Sequence, residues 1–321
     1  MKSICLVYPW FGKFNSYFNL WLESAIKNES IDFLLYTDNE NIAWIKENYL
    51  LPNNIRIFES SLSEISHRIS KINRGGYIYL NRPYKLCDYK PLYCFLFEEV
   101  KKYDFWGFGD MDVILGDIRH FLSDEILDKC DVIGNMGHMQ VFRNVDHINN
   151  LIYQTPSEFF NKVLIDVNQN YFFDEREYSR FNLYNSDRKK LIWDDVADAR
   201  KPSRKFGLKY FRFSFPCDED KYHKQCCFYN RLNGKLFLIK IINGTINKRE
   251  VLYLHLQKRI MKNCVRDKNS NFLCLPNRFI ECPTEDDIRS RYRFYFFDFL
   301  MCEWANRKSY FKHLIKIIKR K

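Results

Sequence analysis

The sequence has no long hydrophobic run. No stretch of its 321 residues approaches the roughly 20 uninterrupted apolar residues that a membrane-spanning helix needs. It also has no internal repeat and no low-complexity linker, which favours a single domain. The opening residues, Met1 to Pro9, contain too short an apolar run for a signal peptide and no small-residue cleavage site. We therefore predict a first buried strand there, and a cytoplasmic protein.

Nucleic-acid-binding signatures are also absent, although the formal net charge is +11. The charge indicates an anionic partner, and we predict one other than nucleic acid. Residues 307–321 are basic, with Phe311, Leu314, Ile315 and Ile318 at helical spacing between lysines. Two interpretations stay open for this segment. It is either a helix lying on an anionic inner-membrane surface or an ordinary last helix with a solvated basic face.

What the sequence does contain is enough apolar material for a large core, at 46% hydrophobic and 17% aromatic residues. Apolar runs and helical patterns alternate with short connectors, which predicts an α/β fold with a mixed, mainly parallel, Rossmann-like sheet flanked by helices. The predicted strands are 3–9, 31–36, 55–58 and 103–109, and the predicted helices are 15–27, 41–49, 61–72 and 84–100.

Two carboxylates, Asp110 and Asp112, follow the apolar run that ends at Gly109. Side chains at i and i+2 of an extended backbone point the same way, so this pair can meet one hard divalent cation. The phosphates of a nucleotide diphosphate-sugar would complete the oxygen shell. The position supports this interpretation, because ligands of open α/β sheets collect at strand ends. The alternative is an acidic turn without a ligand.

A late apolar strand, 251–254, ends at His255 and is followed by Lys258 and Arg259. A neutral imidazole, two carboxylates and a diphosphate form a suitable shell for Mn²⁺. Lysine and arginine side chains suit diphosphate oxygens. The alternative for His255 is a hydrogen-bonded core histidine.

These motifs resemble the GT-A glycosyltransferase superfamily. In their order they are also similar to a poorly characterised bacterial family found among capsule and O-antigen synthesis proteins. The segments that carry this resemblance are 84–91, 109–118, 137–138, 142–144 and 255–259. The resemblance implies a GT-A domain over residues 1–262, with a nucleotide-sugar half (1–118) and an acceptor-side half (119–262). A C-terminal helical extension with a basic amphipathic end would follow over 263–321.

The activity implied by the resemblance is transfer of a hexosyl group from a nucleotide diphosphate-sugar, UDP-linked, to a bacterial surface polysaccharide or lipid-linked acceptor. Mn²⁺ or Mg²⁺ would be held by Asp110, Asp112 and His255. One alternative is a nucleotidyltransferase acting on sugar phosphates, but residues 8–13 match its glycine-rich basic loop poorly. Another is a basic nucleic-acid-binding protein, which leaves the three proposed ligands unexplained.

The resemblance also assigns residues to the donor. Pro9, Trp10 and Phe11 would contact the base and the ribose, and Asp38 would contact one of these two groups. Lys85, Asp88 and Lys90 would contact the ribose, the sugar or a phosphate, and His138 would contact the sugar or the acceptor. Lys258 and Arg259 would contact the diphosphate, and Asp110 would touch both the metal and the donor. For Lys85, Asp88 and Lys90 the alternative is an ion-pair cluster on a helix surface. For His138 it is a loop histidine facing solvent.

An inverting enzyme needs a base to remove the proton of the acceptor hydroxyl. The candidates are Asp174 and Glu175, which follow an aromatic pair, and Asp194 and Asp195, which follow Trp193. Burial beside aromatic rings would raise the pKa of such a carboxylate. Each candidate has the alternative of a helix cap or a solvated turn. A retaining enzyme would need none of them.

Overall fold

The computed structural model describes residues 1–73, 76–199, 213–214, 225–242, 245–257, 261–275 and 278–293. The fold of these residues is mixed α/β, with several sheets flanked by helices. The chain divides into two compact units, the first made of Met1–Val113 and Asp117–Asp194, the second of Ile114–Gly116 and the described residues from Asp195 onward. None of the helices in these ranges combines the length and the apolar character that crossing a membrane requires.

Strands in the described ranges are short to medium in length. In chain order they are β1 (Ile4–Trp10), β2 (Asp32–Thr37), β3 (Ile55–Glu59), β4 (Phe105–Gly109), β5 (Val113–Leu115), β6 (Val132–Met136), β7 (Met139–Arg143), β8 (Lys190–Leu191), β9 (Val196–Ala199), β10 (Phe213–Ser214), β11 (Gln225–Asn230), β12 (Lys235–Ile242), β13 (Thr245–Val251), β14 (Tyr253–His255), β15 (Lys262–Asn263), β16 (Phe272–Cys274) and β17 (Arg278–Glu281).

The helices cluster in the first unit. They are α1 (Phe18–Ile26), α2 (Asn39–Asn48), α3 (Leu62–Ile72), α4 (Leu86–Tyr89), α5 (Tyr93–Leu96), α6 (Ile118–Phe121), α7 (Asp124–Lys129), α8 (Asp146–Asn149), α9 (Ser157–Ile165), α10 (Arg180–Leu183) and α11 (Ile288–Arg293), with 3₁₀ turns at Pro83–Lys85, Lys90–Leu92, Glu98–Lys102, Asn150–Gln154 and Asp187–Lys189. The predicted helix over 84–100 is therefore a series of short helices. Pro91 accounts for one break, because it lacks a backbone N–H.

The first unit is built on a seven-stranded sheet in the order β3-β2-β1-β4-β7-β6-β8. Strands β3, β2, β1 and β4 are parallel, and β2 and β4 lie on opposite sides of β1. After β3 the chain crosses to the other side of β1 and continues there with β4, so the strand order switches at the junction of β1 and β4. Such a switch opens a crevice at the carboxyl ends of the two strands, where ligands bind in open α/β sheets.

Apolar side chains bury both faces of these strands. Residues Ile4 to Tyr8 of β1 and Phe33 to Tyr36 of β2 are at most 2% exposed, as is usual for parallel strands covered on both sides. Polar caps fix where the flanking helices begin. Ser61 accepts a hydrogen bond from the Glu64 N–H (3.1 Å) and starts α3. The alternation predicted for residues 1–72 is confirmed by strands β1 to β3 and helices α1 to α3.

The second unit contains a four-stranded sheet, β10-β9-β14-β5, and a six-stranded sheet, β13-β12-β11-β16-β17-β15. In the six-stranded sheet, every described ladder except that between β15 and β17 is antiparallel. In the four-stranded sheet, β9 and β14 are parallel.

The prediction of a mainly parallel fold is wrong, because the sheets taken together are mixed. Strands β11, β12 and β13 follow one another through short connections, and such connections join antiparallel neighbours. Strand β7 likewise runs antiparallel to both β4 and β6. The predicted boundary near residue 118 falls inside the first unit, which gives up only Ile114–Gly116 to the second unit and otherwise continues to Asp194. Residues 263–293 contain β16 and β17 before α11, where a helical extension was predicted, and residues 307–321 lie outside the described ranges.

Gly107→Ala should destabilise the first unit by about 1–3 kcal/mol, the usual cost of overpacking. A Cβ at residue 107 would collide with the backbone carbonyl of Gln140 on β7 and with the Leu6 side chain on β1. Urea unfolding followed by circular dichroism would measure the change in the free energy of unfolding. An unchanged midpoint would show that β4 and β7 can separate without cost.

Candidate active site

A cavity of about 240 Å³ lies at the carboxyl ends of β1 and β4 in the first unit. Its walls come from residues 8–11 at the end of β1, residues 109–111 at the end of β4, and the helical segment 83–93. The structure thus brings Pro9, Trp10, Phe11, Lys90 and Asp110, all predicted from sequence, to one cavity.

Tyr8 and Gly109 form the floor where the two strands lie side by side. Tyr8 is 2% exposed, and a Cβ at Gly109 would collide with its hydroxyl. Burial, and then the negative charge of Asp110, raise the pKa of Tyr8 well above its ordinary value. The phenol is therefore protonated at neutral pH, and only glycine fits beside it.

The paired carboxylates occupy a bend between β4 and β5, so the prediction of an extended backbone through Asp110 and Asp112 is wrong. Their carboxylate oxygens nevertheless lie within 4.8 Å of one another. Two oxygens that bind one divalent cation lie at most about 5 Å apart, because metal–oxygen distances are roughly 2.0–2.6 Å, so the pair is close enough to share an ion. The Asp110 N–H donates to the carbonyl of His138 (2.9 Å), which fixes the bend against the β6–β7 turn.

Lys90 lies between two carboxylates. Its Nζ donates to Asp110 Oδ1 (2.6 Å), to the Gly137 carbonyl (2.7 Å) and to Asp174 Oδ2 (3.1 Å). The side chain is almost fully buried, and burial disfavours its charge. Asp110 and Asp174 outweigh that effect, so the pKa of Lys90 lies well above its ordinary value. In this structure the ammonium group of Lys90, which was predicted to contact phosphate, holds the acidic side chains of Asp110 and Asp174 in place.

Asp174 is the predicted base that lies closest to these groups. It is 4% exposed, and burial raises its pKa to about 6, although Lys90 works in the opposite direction. The value of about 6 is the net result, and the charges of Glu175 and Asp110 also contribute to raising it. A Cβ at Gly137 would collide with both Asp174 and Glu175, so both carboxylates pack on the backbone of the β6–β7 turn.

Lys85 and Asp88 are completely buried, and the interpretation of a helix-surface cluster is wrong for them. Lys85 Nζ donates to Asp88 Oδ2 (2.9 Å), and burial lowers its pKa. Asp88 Oδ1 accepts from the N–H groups of Tyr171 (3.0 Å) and Phe172 (2.9 Å). Phe172 has a positive φ of 56°, a conformation that needs such support. In this structure Asp88 therefore holds the segment that leads into Asp174, with no exposed area for a ligand.

Asp38 likewise supports the cavity without lining it. Its carboxylate caps α2 by accepting from the Asn41 N–H (3.0 Å), and it also accepts from the Gly12 N–H (3.0 Å). The Trp10 indole donates to the Gly12 carbonyl (3.1 Å). Gly12 has a φ of 89°, which favours glycine. Asp38 thus fixes the turn that positions Trp10.

His255 ends β14 in the second unit and is 6% exposed. Its Nδ1 lies 2.8 Å from Asp198 Oδ1, and the Gln257 side-chain amide donates to Asp198 Oδ2 (2.7 Å). Sequence reasoning missed Asp198. The available signal was a single carboxylate inside the apolar run of β9, Val196 to Ala199.

The remaining predicted residues have simpler surroundings. Asp195 forms a surface ion pair with Arg249, whose Nε lies 2.9 Å away, and Asp194 is exposed. His138 is half-buried in the turn between β6 and β7. Lys258 and Arg259 lie outside the described residues.

A family model matches residues 6–283 of the chain. The chain belongs to DUF6625, a family of unknown function. Comparison with curated proteins finds no match. The part of the chain that matches DUF6625 includes the cavity, both carboxylates after β4, and His255, but not residues 307–321. Family membership therefore assigns no activity to the chain.

The carboxyl group of Asp174 should titrate near pH 6, roughly two units above an ordinary aspartate. Lys90→Met should raise that pKa further, because the Lys90 charge lowers it. Carbon-13 NMR of labelled aspartate, with Asp174→Asn to assign the resonance, measures both values.

Because the pKa of Asp174 is higher in the folded than in the unfolded chain, ionisation of this carboxyl group destabilises the folded state. The stabilising contribution of Asp174 is thus fully present below about pH 4 and is lost as pH rises through about 6. Between pH 4 and pH 7, the free energy of unfolding of Asp174→Asn should therefore rise by up to about 3 kcal/mol relative to that of the wild type. A midpoint below pH 5, or parallel pH profiles of the two proteins, would contradict the burial argument.

Proposed function

We propose that this protein is a metal-dependent glycosyltransferase of the GT-A type. It would transfer a hexosyl group from a UDP-linked sugar to a bacterial surface polysaccharide or lipid-linked acceptor. The observation that carries the proposal is the place of the cavity. It lies at the carboxyl ends of β1 and β4, where the strand order reverses, and Asp110 of the close carboxylate pair is in its wall.

The walls of the cavity suit a nucleoside. Trp10, Phe11 and Tyr93 give it an aromatic and largely apolar lining. Aromatic faces accept a flat base, and a few convergent polar groups fix its orientation. Tyr84 also lines the cavity and is 43% exposed, which places it at the mouth.

The donor set near the cavity fits a hard divalent cation such as Mn²⁺ or Mg²⁺. Asp110 and Asp112 supply carboxylate oxygens within 4.8 Å of one another, and such cations prefer oxygen ligands. When bound, the ion would neutralise the diphosphate as it leaves. We propose His255 as the third protein ligand, and Lys258 and Arg259 as diphosphate contacts. In support of His255, the strand that follows Asp112, β5, is the sheet neighbour of β14.

Asp174 is the best-placed base for an inverting transfer. Its pKa of about 6 leaves it mostly ionised at pH 7 and close to the pH at which a general base works best. Lys90 joins it to Asp110, which fixes the carboxylate beside the proposed donor site. Removal of a general base typically costs 10²–10⁴-fold in rate. A retaining enzyme would tolerate Asp174→Asn in the chemical step.

The nucleotide site is tested by thermal stabilisation. UDP with Mn²⁺ should raise the melting temperature, whereas UDP with EDTA should not, because only a ligand that binds the folded state stabilises it. At 100 times the dissociation constant the gain is about 2.7 kcal/mol. Asp112→Asn should remove the Mn²⁺-dependent part of the stabilisation, measured against the variant's own melting temperature without ligand.

Asp128→Asn is the matched control, since Asp128 pairs with Lys2 on the exposed surface of the same unit. If UDP still stabilises the protein in the presence of EDTA and in Asp112→Asn, then no metal at Asp112 takes part in UDP binding. Product analysis then separates two enzyme classes. A glycosyltransferase releases UDP from a UDP-sugar, whereas a nucleotidyltransferase releases pyrophosphate from a nucleoside triphosphate and a sugar phosphate.

A further inference from the structure

His255, Asp198 and Gln257 form a hydrogen-bonded chain inside the second unit. Strands β9 and β14 are parallel, and His255 is the register partner of Asp198. Partners in a ladder project to the same face of the sheet, which explains why the two side chains meet. Both are largely shielded from solvent, with side chains 8% and 21% exposed.

The chemistry of the three groups fixes the proton on the imidazole ring. An ionised carboxylate only accepts hydrogen bonds. The contact of 2.8 Å between His255 Nδ1 and Asp198 Oδ1 therefore requires a hydrogen on Nδ1. A neutral ring of this tautomer carries its lone pair on Nε2. The amide of Gln257 donates to the second oxygen of Asp198 and holds the carboxylate in this orientation.

Gln257 occupies an unusual backbone conformation, with a φ of 51°. A non-glycine residue rarely adopts this left-handed region. Its side-chain hydrogen bond to Asp198 is one interaction that stabilises this conformation.

We infer that Asp198 is a positioning residue that holds His255 in the Nδ1–H tautomer and so presents Nε2 as a metal ligand. Carboxylates that accept from the second nitrogen of a ligating histidine act in this way. The metal-binding half of the inference rests on the proposed function. The tautomer half does not, because it follows from contacts within the second unit.

Asp198→Asn provides a directional test. Gln257 donates a hydrogen, so the Asn oxygen should turn towards Gln257 and the Asn NH₂ group towards His255 Nδ1. The ring would then carry its hydrogen on Nε2, which blocks that atom as a ligand. The double variant Asp198→Asn with Gln257→Ala removes the donor that orients the Asn amide. It should recover the Nδ1–H tautomer in part.

The measurements use the full chain. Nitrogen-15 NMR of histidine-labelled, metal-free protein at pH 8 reports the tautomer, with His255→Gln to assign the signals. Electron paramagnetic resonance of free Mn²⁺ in the presence of UDP reports the affinity. We expect Nδ1–H in the wild type, Nε2–H in Asp198→Asn, and an affinity that is 10–100-fold weaker in that variant. Glu285→Gln, which removes an exposed ion-pair partner of Lys248, is the control and should match the wild type.

A wild-type ring protonated on Nε2 would overturn the inference without any variant, even if Asp198→Asn fails to fold. A folded Asp198→Asn protein with wild-type tautomer and affinity would overturn it as well. If the tautomer changes as expected but the wild type binds no Mn²⁺, the metal-binding half fails together with the proposed function. The orienting role of Asp198 would then stand alone.

Discussion

The buried ammonium of Lys90 is the interaction on which the first unit's site depends. It joins three segments that are distant in sequence: the end of β4 through Asp110, the β6–β7 turn through the Gly137 carbonyl, and the segment after α9 through Asp174. A charge taken out of water is tolerated only with close partners, and loss of one partner from such a pair commonly costs about 3–5 kcal/mol. Lys90 therefore constrains the position of the acidic groups as well as their charge.

The same arrangement determines what the site attracts. Asp110, Asp112 and Asp174 carry more negative charge than Lys90 supplies, and Glu175 packs beside them on Gly137. Burial disfavours the ionised form of Asp174, and the nearby negative charges disfavour it further, which is why the pKa of Asp174 rises. A divalent cation near Asp112 would relieve the excess of negative charge. A metal at the two carboxylates after β4 stays a prediction.

Much of the first unit could be predicted from the sequence because its signals are local. Apolar runs give β1, β2 and β4, and the two carboxylates after Gly109 indicate a ligand site at a strand end. Less of the second unit could be predicted in this way, because the pairing of β9 with β14 and of β11 with β16 joins segments that are far apart in sequence. Asp198 illustrates the limit. It becomes notable only through its register with His255, 57 residues further along the chain.

Polar residues near a site can contact a ligand or hold the segments that do so, and the sequence alone does not separate the two roles. Asp88 lies in the short helix α4, and Asp110 directly follows the short strand β4. Asp88 is completely buried and accepts from backbone N–H groups, whereas the Asp110 side chain is 26% exposed at the cavity wall. Asp38 supports Trp10 in a similar indirect way. The residues that the resemblance assigns to the donor therefore fall into two groups that differ in solvent exposure. The exposed groups are candidates for binding, and the buried ones determine where those groups stand.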